Sequence, residues 1–96
     1  MFAVIGRVKI HPGHEDETLA MIVNGGIPMV RAMAGSSDGY WLRSRQQGEL
    51  IQHSFWLFDT EADARAAEDT FNGLRDLAEA PATLLAVDVC EVIGQT

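Results

Sequence analysis

Basic residues are scarce in this sequence. Seven lysines and arginines stand against fourteen aspartates and glutamates, which gives the 96-residue chain a formal net charge of −7 and a pI near 4.7. Proteins that bind nucleic acid or an anionic membrane surface usually attract phosphate groups through an excess of basic side chains. The charge balance therefore disfavours both nucleic acid and membranes as partners.

Cysteine and long apolar runs are also nearly absent. Cys90 is the single cysteine, so no intrachain disulfide forms, and we expect Cys90 to be a small buried apolar residue. Arg7 and Lys9 interrupt the apolar N-terminal run, and the longest uncharged stretch, 18–30, contains two glycines and a proline. Neither a signal peptide nor a membrane span is predicted, and we expect a cytoplasmic protein.

The signatures of nucleotide cofactors and metal sites are missing as well. The sequence contains no phosphate-binding glycine loop and no CxxC motif. His11 and His14 flank a turn beside three acidic residues. Without a nearby cysteine, this pattern is more typical of a solvated turn and an acidic helix start than of a metal site. We therefore predict no bound metal.

Hydrophobic periodicity predicts four strands and two helices. The strands cover 2–10, 39–45, 50–58 and 84–93, and the residues between 35 and 39 are expected to form a loop. The first helix follows Glu15 and has apolar residues at helical spacing: Leu19, Val23, Ile27, Val30 and Met33. Pro28 predicts a kink near its two glycines. The second helix begins near Thr60, whose spacing to Asp63 is that of a capping box. Its buried stripe is Ala64, Ala67, Phe71, Leu74 and Ala78.

The order β-α-β-β-α-β predicts one α+β domain over 1–96 with the ferredoxin-like fold, in which two helices cover one face of a four-stranded antiparallel sheet. The first and last strands, however, carry apolar residues on both faces. We place Leu85, Val87 and Val89 on one face of the last strand and Leu84, Ala86 and Cys90 on the other. A chain of this length has nothing left to cover a second apolar face, so a homodimer closed sheet to sheet is predicted.

The segment Phe55-Trp56-Leu57-Phe58-Asp59-Thr60-Glu61-Ala62-Asp63-Ala64 resembles the aromatic strand and acidic helix start of the dimeric α/β-barrel proteins. Within them, the sequence looks most like the antibiotic biosynthesis monooxygenase family. Ile10-His11-Pro12-Gly13 resembles that family's first turn, and Ala34-Gly35-Ser36 resembles its loop after the first helix. The resemblance implies a dimeric α/β barrel with a pocket between the helices and the sheet of each subunit.

Some members of that family oxidise polycyclic aromatic substrates with O₂ and without metal or flavin, and others degrade haem. The haem-degrading members use an Asn on the first strand, a Trp at the end of the third and a His on the second helix. The matching positions here are Gly6 and a position near Phe58, with Trp56 two residues earlier, and the second helix has no histidine. Haem degradation is therefore disfavoured.

The resemblance thus implies a cofactor-independent monooxygenase, or a related oxidoreductase, that acts on a small aromatic or polyketide-like substrate. The alternative is a non-catalytic dimeric barrel that binds an apolar metabolite. Isomerase or lyase chemistry on the same fold is a third possibility, because a fold alone does not define a reaction.

A tight turn at Gln47-Gly48 predicts which residues of the central hairpin face each other. It pairs Arg43 with Gln52, Leu42 with His53, and Tyr40 with Phe55. We assign the face with Tyr40, Leu42, Ser44, His53 and Phe55 to the helix side, and the face with Trp41, Arg43, Gln52, Ser54 and Trp56 to the barrel interior and dimer contact.

Two residues of this hairpin are predicted to be catalytic. A neutral His53 in an apolar pocket could take a proton from a phenolic substrate, and Tyr40 could donate a hydrogen bond to a ligand oxygen. The alternatives are a core histidine bonded to the backbone or to Tyr40, and a tyrosine that serves packing.

Four further residues are predicted to bind substrate. Trp41 and Trp56 could stack on a flat ligand, or belong to the core or the interface. Asn24 could point into the pocket from the kink, or cap it locally. Arg43 could neutralise an enolate or carboxylate, or pair with Asp88 across the dimer.

Overall fold

The computed structural model, which describes residues 1–73 and 81–96, has four strands and two helices in the order β-α-β-β-α-β. The strands are β1 (Phe2–Ile10), β2 (Ser36–Gln46), β3 (Glu49–Phe58) and β4 (Ala82–Glu91). A bent first helix consists of α1 (Glu15–Met21), a π-helical segment (Ile22–Gly26) and α2 (Ile27–Arg31), and the second helix is α3 (Glu61–Gly73). None of the helices in this described part is long and apolar enough to cross a membrane.

The four strands form one antiparallel sheet in the order β2-β3-β1-β4. Each helical connection crosses to a strand that is not an immediate neighbour, which is the split βαβ arrangement. The α+β, ferredoxin-like fold predicted from the order of elements is therefore confirmed.

The β2–β3 hairpin has the register that its turn predicts. Gln47 and Gly48 both have positive φ, at 53° and 81°, as a two-residue hairpin turn with the matching twist requires. Arg43 pairs with Gln52, Leu42 with His53, and Tyr40 with Phe55. The prediction of a loop at 35–39 is largely wrong, because β2 already begins at Ser36, which pairs with Phe58. The residues between Ser36 and Gly39 lie in a register shift of the same strand.

The first helix changes its winding where Gly25 and Gly26 precede Pro28, which confirms the predicted break. The predicted apolar stripe is only partly correct. Val30 is buried, whereas Leu19 and Val23 are 51 % and 56 % exposed. A π-helical turn holds more residues than an α-turn, so it rotates the residues before it out of phase with those after it.

The core lies between the helices and one face of the sheet. Val4, Trp56 and Phe58 from the sheet pack with buried residues of the helices, namely Val30, Ala64, Ala67 and Phe71. The last three confirm the predicted stripe of α3, while Leu74 and Ala78 lie outside the described residues.

A β-bulge changes the predicted faces of β4. Arg7 pairs with Ala86 but Val8 pairs with Leu84, so one extra residue lies in β4 at this point. As a result Leu84 packs against the same core as Val87 and Val89. The prediction that placed Leu84 on the face opposite Val87 is wrong, because the bulge breaks the two-residue alternation.

The predicted faces of the central hairpin are reversed in the structure. Trp56 is 2 % exposed and packs in the core with Trp41 beside it, whereas Tyr40 and Leu42 are 58 % and 50 % exposed. The alternation predicts which residues share a face, but both faces mix apolar and polar residues. Packing of the large indole rings against the helices decides the orientation.

The sheet face turned away from the described helices is called the open face. It consists of Ala3, Ile5 and Arg7 of β1, Tyr40, Leu42 and Ser44 of β2, Ile51, His53 and Phe55 of β3, and Ala86, Asp88 and Cys90 of β4. Cys90 is exposed there, so its predicted burial is wrong for the single chain.

Candidate functional site

A cleft of about 470 Å³ lies between the bent first helix and the sheet. Its helical wall is made of Met21, Ile22, Gly25, Gly26 and Met29. Its floor is the helix-facing side of the sheet, with Val8, Leu84 and the alternate residues of β3. Most of the lining is apolar, and the volume is in the range of small-molecule sites.

Three aromatic rings form a row along the cleft. The ring centroids of Trp41 and Trp56 are 6.2 Å apart, and those of Trp56 and Phe71 are 5.0 Å apart. The interplanar angles of 53° and 50° are those of tilted pairs. Such rings provide a large apolar surface on which a flat ligand can stack.

The π-helical segment allows the opposite wall to approach this aromatic row. A Cβ atom built on Gly26 would lie 3.6 Å from Cζ2 of Trp41, so the indole ring packs directly against the helix backbone. Gly25, also in the wall, has nothing within 4 Å of a built Cβ position. The two glycines therefore leave room at the point where a larger side chain would narrow the cleft.

Two fully buried polar atoms of side chains that line the cleft have no hydrogen-bond partner within 1–73 and 81–96. They are Oε1 of Gln52, an acceptor, and Nε1 of Trp56, a donor. Gln52 is 8 % exposed and Trp56 is 2 % exposed. Leaving such a group unpaired costs about 1–3 kcal/mol, so native structures rarely keep one without a reason.

The positions of these atoms follow from the pleat of β3. Gln52, Ser54 and Trp56 are two residues apart, so their side chains all point from the strand into the cleft. An acceptor, a hydroxyl and a donor thus line one strand beside the aromatic row. This arrangement can orient a ligand that carries both a hydrogen-bond donor and an acceptor.

Arg43 joins β2 to the start of the first helix beside the cleft. Its Nη2 atom donates to Oγ1 of Thr18 at 2.7 Å and to the carbonyl oxygen of Glu15 at 3.1 Å. Thr18 is buried and lines the cleft. The guanidinium group is therefore engaged with the helix, on the opposite side of the sheet from Asp88. The proposed partnership of Arg43 with substrate or with Asp88 has no support in this geometry.

The same helix start affects one titratable group. The backbone amide groups of Glu15 and Gly13 hold the pKa of the Glu15 carboxyl below its usual value, against a smaller opposing effect of burial. The nearby Arg45 and Arg43 guanidinium groups act in the same direction as the amides. Glu15 is therefore a stable anion at the helix N-terminus.

His53 and Tyr40, the predicted catalytic residues, lie on the open face and do not line the cleft. Nε2 of His53 is 3.2 Å from the hydroxyl oxygen of Ser44 rather than bonded to Tyr40. Arg7 is its neighbour on β1 and Leu42 its neighbour on β2. Their catalytic role stays a prediction that the cleft itself does not support.

The residues predicted to bind substrate are likewise split between the cleft lining and positions outside it. Trp41 and Trp56 come together in the cleft, while Asn24 is exposed within the π-helical segment and is not part of the lining. Sequence reasoning missed Gln52 and Thr18. The alternation of Gln52, Ser54 and Trp56 was visible as a polar set on one face of a central strand, and it was the available signal.

The histidines of the first turn serve separate local contacts. Nε2 of His11 lies 2.7 Å from Oγ1 of Thr83, and Nδ1 of His14 lies 2.9 Å from Oε2 of Glu17. Across the described ranges, no three His, Cys, Asp or Glu side chains are grouped as metal ligands would be.

Two solved structures share this fold over nearly the whole chain. The NE2512 protein of unknown function from Nitrosomonas europaea matches with a TM-score of 0.65 and 19% identity, covering 99% of this chain and 91% of that one. An ethyl tert-butyl ether d (EthD) family protein from Bacillus halodurans matches with a TM-score of 0.61 and 13% identity, covering 97% of this chain and 100% of that one. Identities this low show the fold alone.

No protein-family model matches the sequence, and no curated protein matches it.

Proposed function

We propose that this chain binds a small, flat and neutral molecule, aromatic or largely apolar, in the cleft between its bent helix and its sheet. The observation that carries the proposal is the pair of unpartnered polar atoms, Oε1 of Gln52 and Nε1 of Trp56, buried beside a row of three aromatic rings. A ligand that satisfies both atoms recovers the cost of leaving them unpaired.

The chemistry of the lining restricts the ligand class. Gln52 Oε1 takes a donor such as a phenolic or enolic hydroxyl, and Trp56 Nε1 donates to an oxygen such as a carbonyl. The described residues of the lining include no charged side chain. Because a charge buried without a partner is costly, a neutral ligand is favoured over an ion.

We propose further that the bound molecule is oxidised by O₂ without a cofactor, as the resemblance to the monooxygenase family suggests. In such a reaction an activated CH₂ group of the substrate loses a proton to a base, and the resulting carbanion reduces O₂. One oxygen atom becomes the new carbonyl oxygen and the other leaves as water. The Trp56 N–H can stabilise the negative charge that develops on a neighbouring substrate oxygen. The base is unassigned within the cleft, and His53 remains the candidate from sequence.

We propose also that two copies associate through their open faces. Tyr40 and Leu42 are 58 % and 50 % exposed there, and Ile5, Phe55 and Cys90 extend the same apolar surface. Arg7 and Asp88 supply one charge of each sign, so the face can complement a rotated copy of itself. The helices and the cleft would then lie on the outside of the dimer.

Isothermal titration with 1-naphthol tests the binding proposal. 1-Naphthol is flat and neutral and carries a hydroxyl group, and 1-methoxynaphthalene is the matched probe that cannot donate a hydrogen bond. We expect the wild type to prefer 1-naphthol by about tenfold, the value of roughly one buried hydrogen bond. Gln52→Leu should abolish the preference, because leucine offers no acceptor.

Gln95→Leu, an exposed glutamine outside the cleft, is the matched control and should retain the preference. Gln52→Leu should also unfold at a temperature no lower than the wild type, since it removes a buried unpaired oxygen. No binding of either probe, or an unchanged preference in Gln52→Leu, would refute the binding site.

Oxygen consumption with anthrone, whose CH₂ group is activated by a neighbouring carbonyl, separates the enzyme from the binding protein. Uptake of O₂ above the protein-free rate supports the oxygenase. Its loss in His53→Gln with 1-naphthol binding retained would show that turnover needs His53, although this side chain lies on the other face of the sheet. Anthrone binding without O₂ uptake supports the non-catalytic alternative.

A further inference from the structure

A second cleft, of about 260 Å³, lies on the other side of Trp41. It is formed by residues of α2 and by the first residues of β2. Among the described residues, Trp41 is the one member that the two clefts share. The two spaces therefore both border this indole ring.

The two clefts differ in chemistry. The larger one is lined mostly by apolar and aromatic side chains, whereas the smaller one includes Arg31, Ser36, Ser37 and Asp38. The register shift of β2 lies in this segment, so Ser37 and Asp38 are outside the regular pairing with β3. Hydroxyl groups and charges of both signs suit a polar, hydroxyl-bearing substituent rather than another apolar ring.

The position of the Trp41 ring is set by two glycines. A Cβ built on Gly39 would lie 3.3 Å from Cζ3 of Trp41, and one built on Gly26 would lie 3.6 Å from Cζ2. The ring thus occupies a slot between the backbone of the β2 edge strand and the backbone of the π-helical segment. A Cβ at Gly26 would be in ordinary van der Waals contact with the ring, whereas one at Gly39 would force a small shift of the ring.

From this arrangement we infer that Trp41 is a specificity-determining residue that separates an apolar subsite from a polar subsite and limits the length of the ligand. The inference rests on the proposed binding function of the larger cleft. With Trp41 in place, the ring system of a ligand ends at the indole. With a small residue at position 41, the two clefts join, and a ligand with a polar chain extends into the second.

The test compares two probes in the wild type and in Trp41→Ala. One probe is 1-naphthol, and the other is 1-naphthol with a 2-hydroxyethyl chain on the ring distal to its hydroxyl group. The ratio of the two dissociation constants should shift by about tenfold toward the longer probe in Trp41→Ala, the value of burying two further methylene groups. Trp41→Phe, which keeps a ring in the slot, should shift the ratio less.

Phe58→Leu is the control for a general loss of core packing, because Phe58 is buried but belongs to neither cleft lining. It should leave the ratio unchanged. If Trp41→Ala does not fold, Trp41→Leu replaces it. An unchanged ratio in the position 41 variants, with both probes still bound, overturns the inference and leaves the proposed binding function intact.

A crystal structure of the same variant tests the inference without any ligand. One continuous cavity that reaches Ser36 and Ser37 supports it, and two separate clefts overturn it. If neither probe binds the wild type, the proposed binding function fails, while the cavity structure still decides whether Trp41 is the partition.

Discussion

Gly6 allows the ring of Phe71, which lines the cleft, to lie directly against β1. A Cβ built at this position would lie 2.6 Å from Cε2 and 3.0 Å from Cε1 of Phe71. Phe71 is 6 % exposed and its ring contacts Trp56, so it has little space in which to retreat. The glycine on β1 is thus required by the close approach of an aromatic ring rather than by its own backbone conformation.

We expect Gly6→Ala to destabilise the fold by about 1–3 kcal/mol, because overpacking forces Phe71 toward the cleft. Urea unfolding measures the loss, and titration with 1-naphthol measures the accompanying loss of affinity. Gly73→Ala is the matched control: nothing lies within 4 Å of its built Cβ, so it should be neutral or stabilising. Equal stabilities of the two variants would show that Phe71 adapts without cost.

The candidate site shows what a sequence can predict at the level of single residues. Trp41 and Trp56 were identified from their residue type and their alternation, and the structure brings them together at 6.2 Å. His53 was selected for its chemistry, and its cross-strand partner Leu42 was correct. The predicted sheet face of His53 was wrong. The pairing of two strands depends on a local turn, whereas the face that a side chain occupies depends on which side of the sheet the helices cover.

At the scale of the elements, the start of α3 is held by its own side chains. The hydroxyl oxygen of Thr60 accepts a hydrogen bond from the backbone N–H of Asp63 at 3.2 Å and donates to Oδ2 of Asp63 at 3.0 Å. These bonds form one half of the predicted capping box: the side chain of Thr60, which precedes the helix, accepts from the free backbone N–H of Asp63 in the first turn. The cap fixes the position from which Ala64, Ala67 and Phe71 enter the core.

Thr60→Ala should therefore reduce the free energy of unfolding by about 1 kcal/mol. Thermal unfolding followed by circular dichroism measures the change. Thr70→Ala, on the exposed side of the same helix, removes a threonine hydroxyl without removing a cap and should cost nothing. A similar loss in both variants would contradict the capping role.

The bent first helix shows that the position of a break can be predicted from sequence even where the winding at the break cannot. Glycine and proline predicted a break at the correct place, but they did not predict that the helix passes through it with π-helical winding. That winding decides that Val30 is buried while Leu19 and Val23 are exposed. A regular 3.6-residue period of apolar residues does not show where a helix takes an extra residue into one of its turns.

At the scale of the whole molecule, exposed apolar side chains occur both on the open face and on the outer side of the first helix. Leu42 at 50 % exposure and Leu19 at 51 % are equally accessible leucines, one on the open face and one on the outer side of α1. They form a matched pair for testing where a second copy binds.

We expect the wild type to sediment as a dimer in analytical ultracentrifugation, and Leu42→Lys to shift it to a monomer, because lysine places an unpaired charge in the interface. Leu19→Lys should leave the dimer unchanged. A monomeric wild type, or a dimer that tolerates Leu42→Lys but not Leu19→Lys, would place self-association elsewhere or remove it.

The distribution of chromophores between the two sides of the sheet has a practical consequence. The sequence holds two tryptophans and one tyrosine; both tryptophans line the large cleft, and Tyr40 lies on the open face. Indole emission therefore originates entirely at the candidate binding site, and phenol emission entirely at the candidate dimer surface. Excitation at wavelengths that indole absorbs and phenol does not therefore reports changes at the cleft from the unlabelled protein, without a contribution from the open face.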